Sequence, residues 1–245
     1  MNVFVGFSIL SMITLSTCGT GNKEPEDLDI PVNAVRVSGA MKNVMRNGQL
    51  HGTIALDTIS NREKLIGLGP VELLKGEITV IDGKSYVSKV TGESSMRVEE
   101  TFTVKAPFFV YAEVEKWKET ALPDSIITLL QVENYLGSLP EKVNRPFAFK
   151  ISATVESAAI HVVNLPEGAS VQSPEDAHQG QRNFEIYNES VDMAGFFSTE
   201  HKAVFTHHDT FIHVHLITKD RAKMGHLDDV KIKRGSARLY IPAGE

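Results

Sequence analysis

Apolar and polar positions alternate in short runs along most of this 245-residue chain, and the runs stop at Gly, Pro or Asn breaks. The stretch GEITVIDGKSYVSKV, residues 76–90, alternates on both sides of Asp82-Gly83, a dipeptide that tolerates the positive φ angles of a tight turn. It predicts a hairpin with Glu77 near its start. TFTVKAPFFVYAEV predicts one or two strands interrupted by Pro107. Beyond a boundary near residues 142–145, FAFKISATV, AAIHVVN, NFEIYN, KAVFTHH, TFIHVHLI and SARLYIP read as strand-like pieces dominated by antiparallel sheet. Two helices interrupt this pattern. SGAMKNVMRNG sets Ala40, Met41, Val44 and Met45 on one face, with Ser38 as N-cap and Gly48 as stop, and PDSIITLLQVENYLGS carries Ile126, Ile127, Leu129 and Leu130 ahead of Gly137. The expectation is an α+β chain whose second half is the more β-rich.

At the N-terminus the apolar run Val3 to Leu15 is too short to span a bilayer comfortably and has the length of a signal-peptide core. Leu15-Ser16-Thr17-Cys18 resembles a bacterial lipobox, and the acidic NKEPEDLD that follows would be its tether; the plainer reading is an N-terminus without that role. The layout is then 1–18 signal peptide and lipobox, 19–34 tether, 35–142 N-terminal α/β domain and 143–245 C-terminal β-rich domain. The expected location is outside the cytoplasm, periplasmic or as a membrane-anchored lipoprotein, with the membrane touched only through Cys18. As Cys18 is the sole cysteine, the mature domain has no internal disulfide. A formal net charge of -6, with Lys and Arg scattered, leaves no basic stripe for a phosphate backbone, so nucleic acid is not an expected partner.

Three of the nine histidines fall in FIHVHLITKDRAKMGHLDD, residues 211–229. Residues two apart on a strand share a face, so His213 and His215 project together while Val214 turns to the core. A hairpin through KDRAKMG returns His226 to the same point. Three imidazoles so arranged leave Zn²⁺ an open coordination position, and neutral imidazole suits other late first-row divalent ions as well. The bland alternative is a strand with one solvated polar face. His207, His208 and Asp209 read as turn residues outside the ligand set, His178 and Arg182 as loop, and Trp117 as an edge or surface anchor.

The spacing HxH, ten residues, then a His preceded by Gly and followed by an apolar residue and Asp, resembles the metal motif of α-acetolactate decarboxylases, down to the Asp220-Arg221 pair inside the loop. GLGPVELLKGEITVIDG is similar to that family's segment leading into an L-x-G-E strand, and SGAMKNVMRNGQLHGTIALDTI to its opening helix and strand. The resemblance covers most of Val35 to Pro242. It implies two related mixed-sheet α/β domains, with His213, His215 and His226 as metal ligands and Glu77 reaching the metal or substrate from the first domain. It implies decarboxylation of 2-acetolactate, a small hydroxy-keto acid, to acetoin. Loss of CO₂ leaves an enediolate that a divalent metal stabilises and that a carboxylic acid can protonate. A homodimer is the candidate assembly.

The chain also departs from the pattern. His161 stands where the family carries an Arg able to grip the substrate carboxylate, and imidazole cannot make the bidentate fork of a guanidinium. Family members continue past the last strand to return a second catalytic Glu; here Glu245, the last residue given, is the candidate to substitute. Met224 replaces the first Gly of a usual Gly-Gly-His. The alternative is a non-catalytic or repurposed member that keeps the metal and takes a different small-molecule ligand. A conserved plant and prokaryotic domain of some DNA-binding proteins has a similar His pattern, but the lack of a basic arm argues against it.

Overall fold

Two antiparallel sheets packed face to face carry the alternation, in a computed structural model that describes Met1 and residues 32–140, 145–207 and 209–244. The expected signal peptide beyond Met1, Cys18, residues 19–31 of the expected tether, the 142/143 division, His208 and Glu245 lie outside the described residues. The first sheet runs in the spatial order β1 (Arg36–Ser38), β8 (Phe109–Glu113), β3 (Leu65–Pro70), β4 (Glu77–Ile81), β5 (Lys84–Gly92) and β6 (Ser95–Glu100). A ribbon of β2 (Ile54–Ala55) and β7 (Lys105–Ala106) stands apart from it. The second sheet runs β12 (Ser190–Phe197), β13 (Ile212–Thr218), β14 (Met224–Ile232), β10 (Phe147–Val162), β15 (Arg238–Pro242) and β9 (Trp117–Ala121), with β11 (Arg182–Tyr187) added to β10. The fold is α+β and its second half is the more β-rich, as the periodicity predicts.

The Asp82-Gly83 hairpin forms as expected, with Ile81 opposite Lys84 and turn φ angles of 50° and 74°. Both faces of β4 are buried. Ile78 and Val80 pack with Leu56, Leu65 and Phe109 on the outer side, while Glu77, Thr79 and Ile81 face the second sheet. Gly76 permits this approach: its φ is 140°, and a Cβ there would lie 2.1 Å from the Ser88 carbonyl oxygen.

β10 is the spine of the second sheet. FAFKISATV and AAIHVVN, which read as separate pieces, are one strand of 16 residues. Its first half pairs with β12 and β15 and its second half with β14 and β11. Because β12, β13 and β14 are themselves joined edge to edge, these four strands close on one another. A shift of register between Val155 and Ser157 supplies the bend that closure needs.

Elsewhere the structure corrects the sequence reading. The described part of KAVFTHH, residues 202–207, is a turn rather than a strand: Ala203 takes a φ of 58° and Phe205 is fully buried. SVDMAGFF is a strand with little alternation to betray it, because nearly every residue of β12 is buried. The first helix, α1 (Met41–Asn47), starts after Ser38, which lies in β1 and bonds Thr53 Oγ1 instead of capping. The helix start is held by tertiary bonds, with the Met41 and Lys42 N–H groups donating to the Val204 and Ala203 carbonyls at 2.8 and 2.9 Å. Gly48 ends it in the left-handed conformation as predicted. The second helix, α2 (Leu129–Gly137), begins after Ile126 and Ile127 because Thr128 and Gln131 form a capping box. A single turn, α3 (Pro174–Ala177), packs beside α1. No helix among the described residues is long and apolar enough to cross a membrane.

At Gly225, β14 runs hard against β10: a Cβ there would sit 2.4 Å from the His161 carbonyl oxygen. Gly225→Ala should therefore cost about 1–3 kcal/mol in urea denaturation. Gly137→Ala, whose Cβ meets only ordinary contacts at 3.7 Å or more, should stay within about 0.5 kcal/mol of wild type.

Candidate metal centre

Strand register assembles the centre. Directly opposed residues of antiparallel strands face the same side. His215 on β13 is opposed to His226 on β14, and His226 in turn to His161 on β10. The three imidazoles thus form a row across neighbouring strands, and His213, two residues from His215, joins on the same face. The ring centroids of His213, His215 and His226 are 4.9–5.6 Å apart, and one nitrogen from each lies within 4.8 Å of the others. The hairpin loop fixes this register. Asp220 accepts from the Thr218 hydroxyl and the Ala222 N–H, and Arg221 donates to Asp192 on β12 at 3.2 Å. The Asp-Arg pair seen in the sequence is a turn lock.

Hydrogen bonds select one nitrogen of two rings. His213 Nδ1 donates to the Phe205 carbonyl at 2.8 Å. Thr79 has a single hydroxyl hydrogen and donates it to Met224 Sδ at 3.0 Å, so it accepts from His215 Nδ1, also at 3.0 Å. Met224 in the position of a glycine is thereby a buried acceptor in the shell around the ligands. His215 Nε2 is left buried with no hydrogen-bond partner. Glu77 Oε2 lies 3.8 Å from that nitrogen, and its Oε1 accepts from the Val163 N–H at 3.3 Å.

Burial sets the protonation of this group. Desolvation, reinforced by the neighbouring imidazoles, holds His213 and His226 well below the usual imidazole range, and burial first and His161 second push His215 down to about 3. Neutral imidazoles offering lone pairs are the state a divalent ion requires. Desolvation raises Glu77 well above the ordinary carboxylate range, against the opposing pull of the Val163 N–H. The orphaned nitrogen, the three convergent rings and the two locked tautomers fit a first-row divalent metal.

The face of the centre opens into a cavity of about 140 Å³. Glu77, His161, His213 and His226 border it together with apolar Met41, Met45 and Phe108. The structure thus gathers every described site residue expected from the sequence. His161 Nδ1 donates to Asp228 at 2.7 Å and its ring lies 4.7 Å from that of His226. Two histidines set aside in the sequence also reach the cavity. His207 sits 4.7 Å from His226, ring to ring, and His178 sits 5.8 Å from His161. Burial lowers the pKa of both. The signal for His207 was its place in the loop feeding β13, which the strand-like reading of KAVFTHH obscured. His207 and His226 also border a second hollow of about 390 Å³ lined by Glu133, Asp209, Asp228 and Asp229.

Facing sheets with three convergent buried imidazoles set between them define an α+β protein whose His213, His215 and His226 could hold a metal ion. An alpha-acetolactate decarboxylase family profile matches residues 38–241, and the chain belongs to that family. It is 29% identical over 177 residues to the alpha-acetolactate decarboxylase of Methanosarcina mazei, covering 71% of this chain; the chain spans 58% of that relative's length. The fold matches that of acetolactate decarboxylase from Bacillus subtilis subspecies spizizenii, with a TM-score of 0.68, 20% identity and 85% of each chain covered. It matches equally a Staphylococcus aureus protein described as similar to that enzyme, with a TM-score of 0.68, 18% identity and 84% of each chain covered.

Metal analysis of the purified protein should find stoichiometric divalent ion that His213→Ala abolishes. Thr79→Val, which removes the partner of His215 Nδ1, should weaken affinity by roughly 10–100-fold without removing a ligand. In the chelated protein, the unfolded histidines titrate near ~6.5 while the folded ones resist protonation, so stability should fall as pH drops. Glu77, whose folded pKa is raised, works in the opposite sense. Thermal melts from pH 7.5 to 5.5 should therefore show a falling midpoint, each histidine contributing up to about 1.4 kcal/mol per pH unit below ~6.5. A flat or rising midpoint would contradict the buried neutral rings.

Proposed function

We propose that this protein is a metal-dependent decarboxylase converting 2-acetolactate, or a related 2-hydroxy-3-keto acid, to acetoin and carbon dioxide. The observation that carries the reading is Glu77: a buried carboxyl group, its pKa raised by desolvation, 3.8 Å from the free nitrogen of His215 at the edge of a cavity sized for a small acid. His213, His215 and His226 would hold a divalent ion such as Zn²⁺, which would supply Lewis acidity for the charge that develops as CO₂ is lost. The rest belongs to the chain. As the bond between C2 and the carboxylate breaks, its electron pair passes toward the adjoining carbonyl and CO₂ departs. Glu77 returns a proton to C2, and acetoin results. The Val163 N–H steadies Glu77 Oε1, leaving Oε2 toward the imidazoles. Asp228 fixes the His161 ring plane through Nδ1 and leaves its other nitrogen for substrate oxygens. Met41, Met45 and Phe108 keep the cavity apolar, which strengthens every charge interaction inside it.

The test is release of acetoin from racemic acetolactate by the metal-loaded protein. Wild type should turn over; Glu77→Gln should retain the metal and lose activity by at least about 100-fold, the lower end of what a positioned general acid contributes. Bound metal with no acetoin formed by wild type would instead indicate a repurposed member of the family.

A further inference from the structure

The cavity over the imidazoles is bordered by α1, and that helix brings to it two fixed cations that the centre itself lacks. Met41, Lys42, Met45 and Arg46 all border the space, as spacings of three and four residues require of one helix face. Met41 and Met45 supply apolar wall. Lys42 and Arg46 are exposed, and neither side chain forms an ion pair or hydrogen bond among the described residues. Glu175 on α3 lies within electrostatic reach of Arg46 without closing a pair with it. Within the cavity Glu77 is the one carboxyl group among the lining residues, and Asp228 beside it is bonded to His161.

The helix is not a loose flap. Its first N–H groups are tied to the Ala203 and Val204 carbonyls, Val44 is fully buried, and the next carbonyl in that loop, from Phe205, holds His213. The cations and a metal ligand therefore share one support. A hydroxy-keto acid presents its carboxylate at the end opposite the keto group. With imidazole at position 161, the strands offer that carboxylate no guanidinium fork.

We propose that Lys42 and Arg46 form the carboxylate-recognition side of the cavity, with the acid lying so that its carboxylate meets α1 and its hydroxy-keto end meets the imidazoles and Glu77. This rests on the function proposed above. Arg46 supplies the planar fork and Lys42 a point charge. The carboxylate, and the CO₂ it becomes, sits at the solvent side of the cavity. The grip acts on bound substrate and transition state alike, so its loss appears in KM more than in kcat.

The experiment uses the full metal-loaded chain and two unreactive probes of similar size, 2-hydroxyisobutyrate and the neutral 2-methylpropane-1,2-diol. Wild type should bind the acid more tightly than the diol. Arg46→Ala should weaken the acid by roughly 10-fold, as a lost charge-assisted bidentate contact does. Lys42→Ala/Arg46→Ala should weaken it further and Arg46→Lys should recover part of the loss, with diol binding and metal content unchanged. For acetolactate the same variants should raise KM while kcat moves by less than about threefold. Unchanged acid binding in the double variant, equal weakening of both probes, or a wild type with no preference for the acid would overturn the clamp. A wild type that prefers the acid yet forms no acetoin would overturn the decarboxylase reading and leave the clamp standing.

Discussion

The register of three adjacent strands is the constraint from which the centre follows. His215, His226 and His161 share one face because β13, β14 and β10 are aligned residue against residue, and a slip of one position would turn each ring to the opposite side. The surrounding details serve that alignment. Gly225 lets β14 approach the β10 backbone, the Asp220 turn and the Arg221–Asp192 pair hold the hairpin, and the shift in β10 closes the four strands.

Desolvation then gives the aligned groups their chemistry, with opposite effects on acid and base. The same dry space that lowers the pKa of the imidazoles raises that of Glu77. Imidazoles with free lone pairs and a carboxyl group of raised pKa are thus obtained from one physical cause, burial between two sheets. Thr79 joins the two sides of this arrangement, since it stands two residues from Glu77 on β4 and accepts from His215 on β13.

Local signals were legible in the sequence and long-range ones were not. Strand parity at His213 and His215, the Asp82-Gly83 turn and the Gly48 stop each depend on a few neighbouring residues, and each appears in the fold. Ser38 resembles a cap in the same local sense, but the carbonyls of Ala203 and Val204 do that work from more than 160 positions away. KAVFTHH shows strand-like alternation, yet Phe205 is buried by a turn whose geometry depends on Ala203 at positive φ. β12 is buried along nearly its whole length, so it lacks the alternation that marks a half-exposed strand. His207 and His178 reach the cavity from loops, where no periodicity announces direction. Glu77 was legible only through the family resemblance, because a lone carboxylate at a strand start carries no sign of what will cover it.

β10 is paired on at least one side along nearly all of its 16 residues, so inserting or deleting one residue within it would reverse the parity of everything beyond and remove His161 from the row. α1 is entered through β1, which keeps register with β8, whereas the segment between β10 and α3 belongs to neither sheet. Changes of length there would leave the strands in step. The row of imidazoles is thus fixed by strand phase, while the side chains that α1 and α3 present beside it are set by separate stretches of sequence.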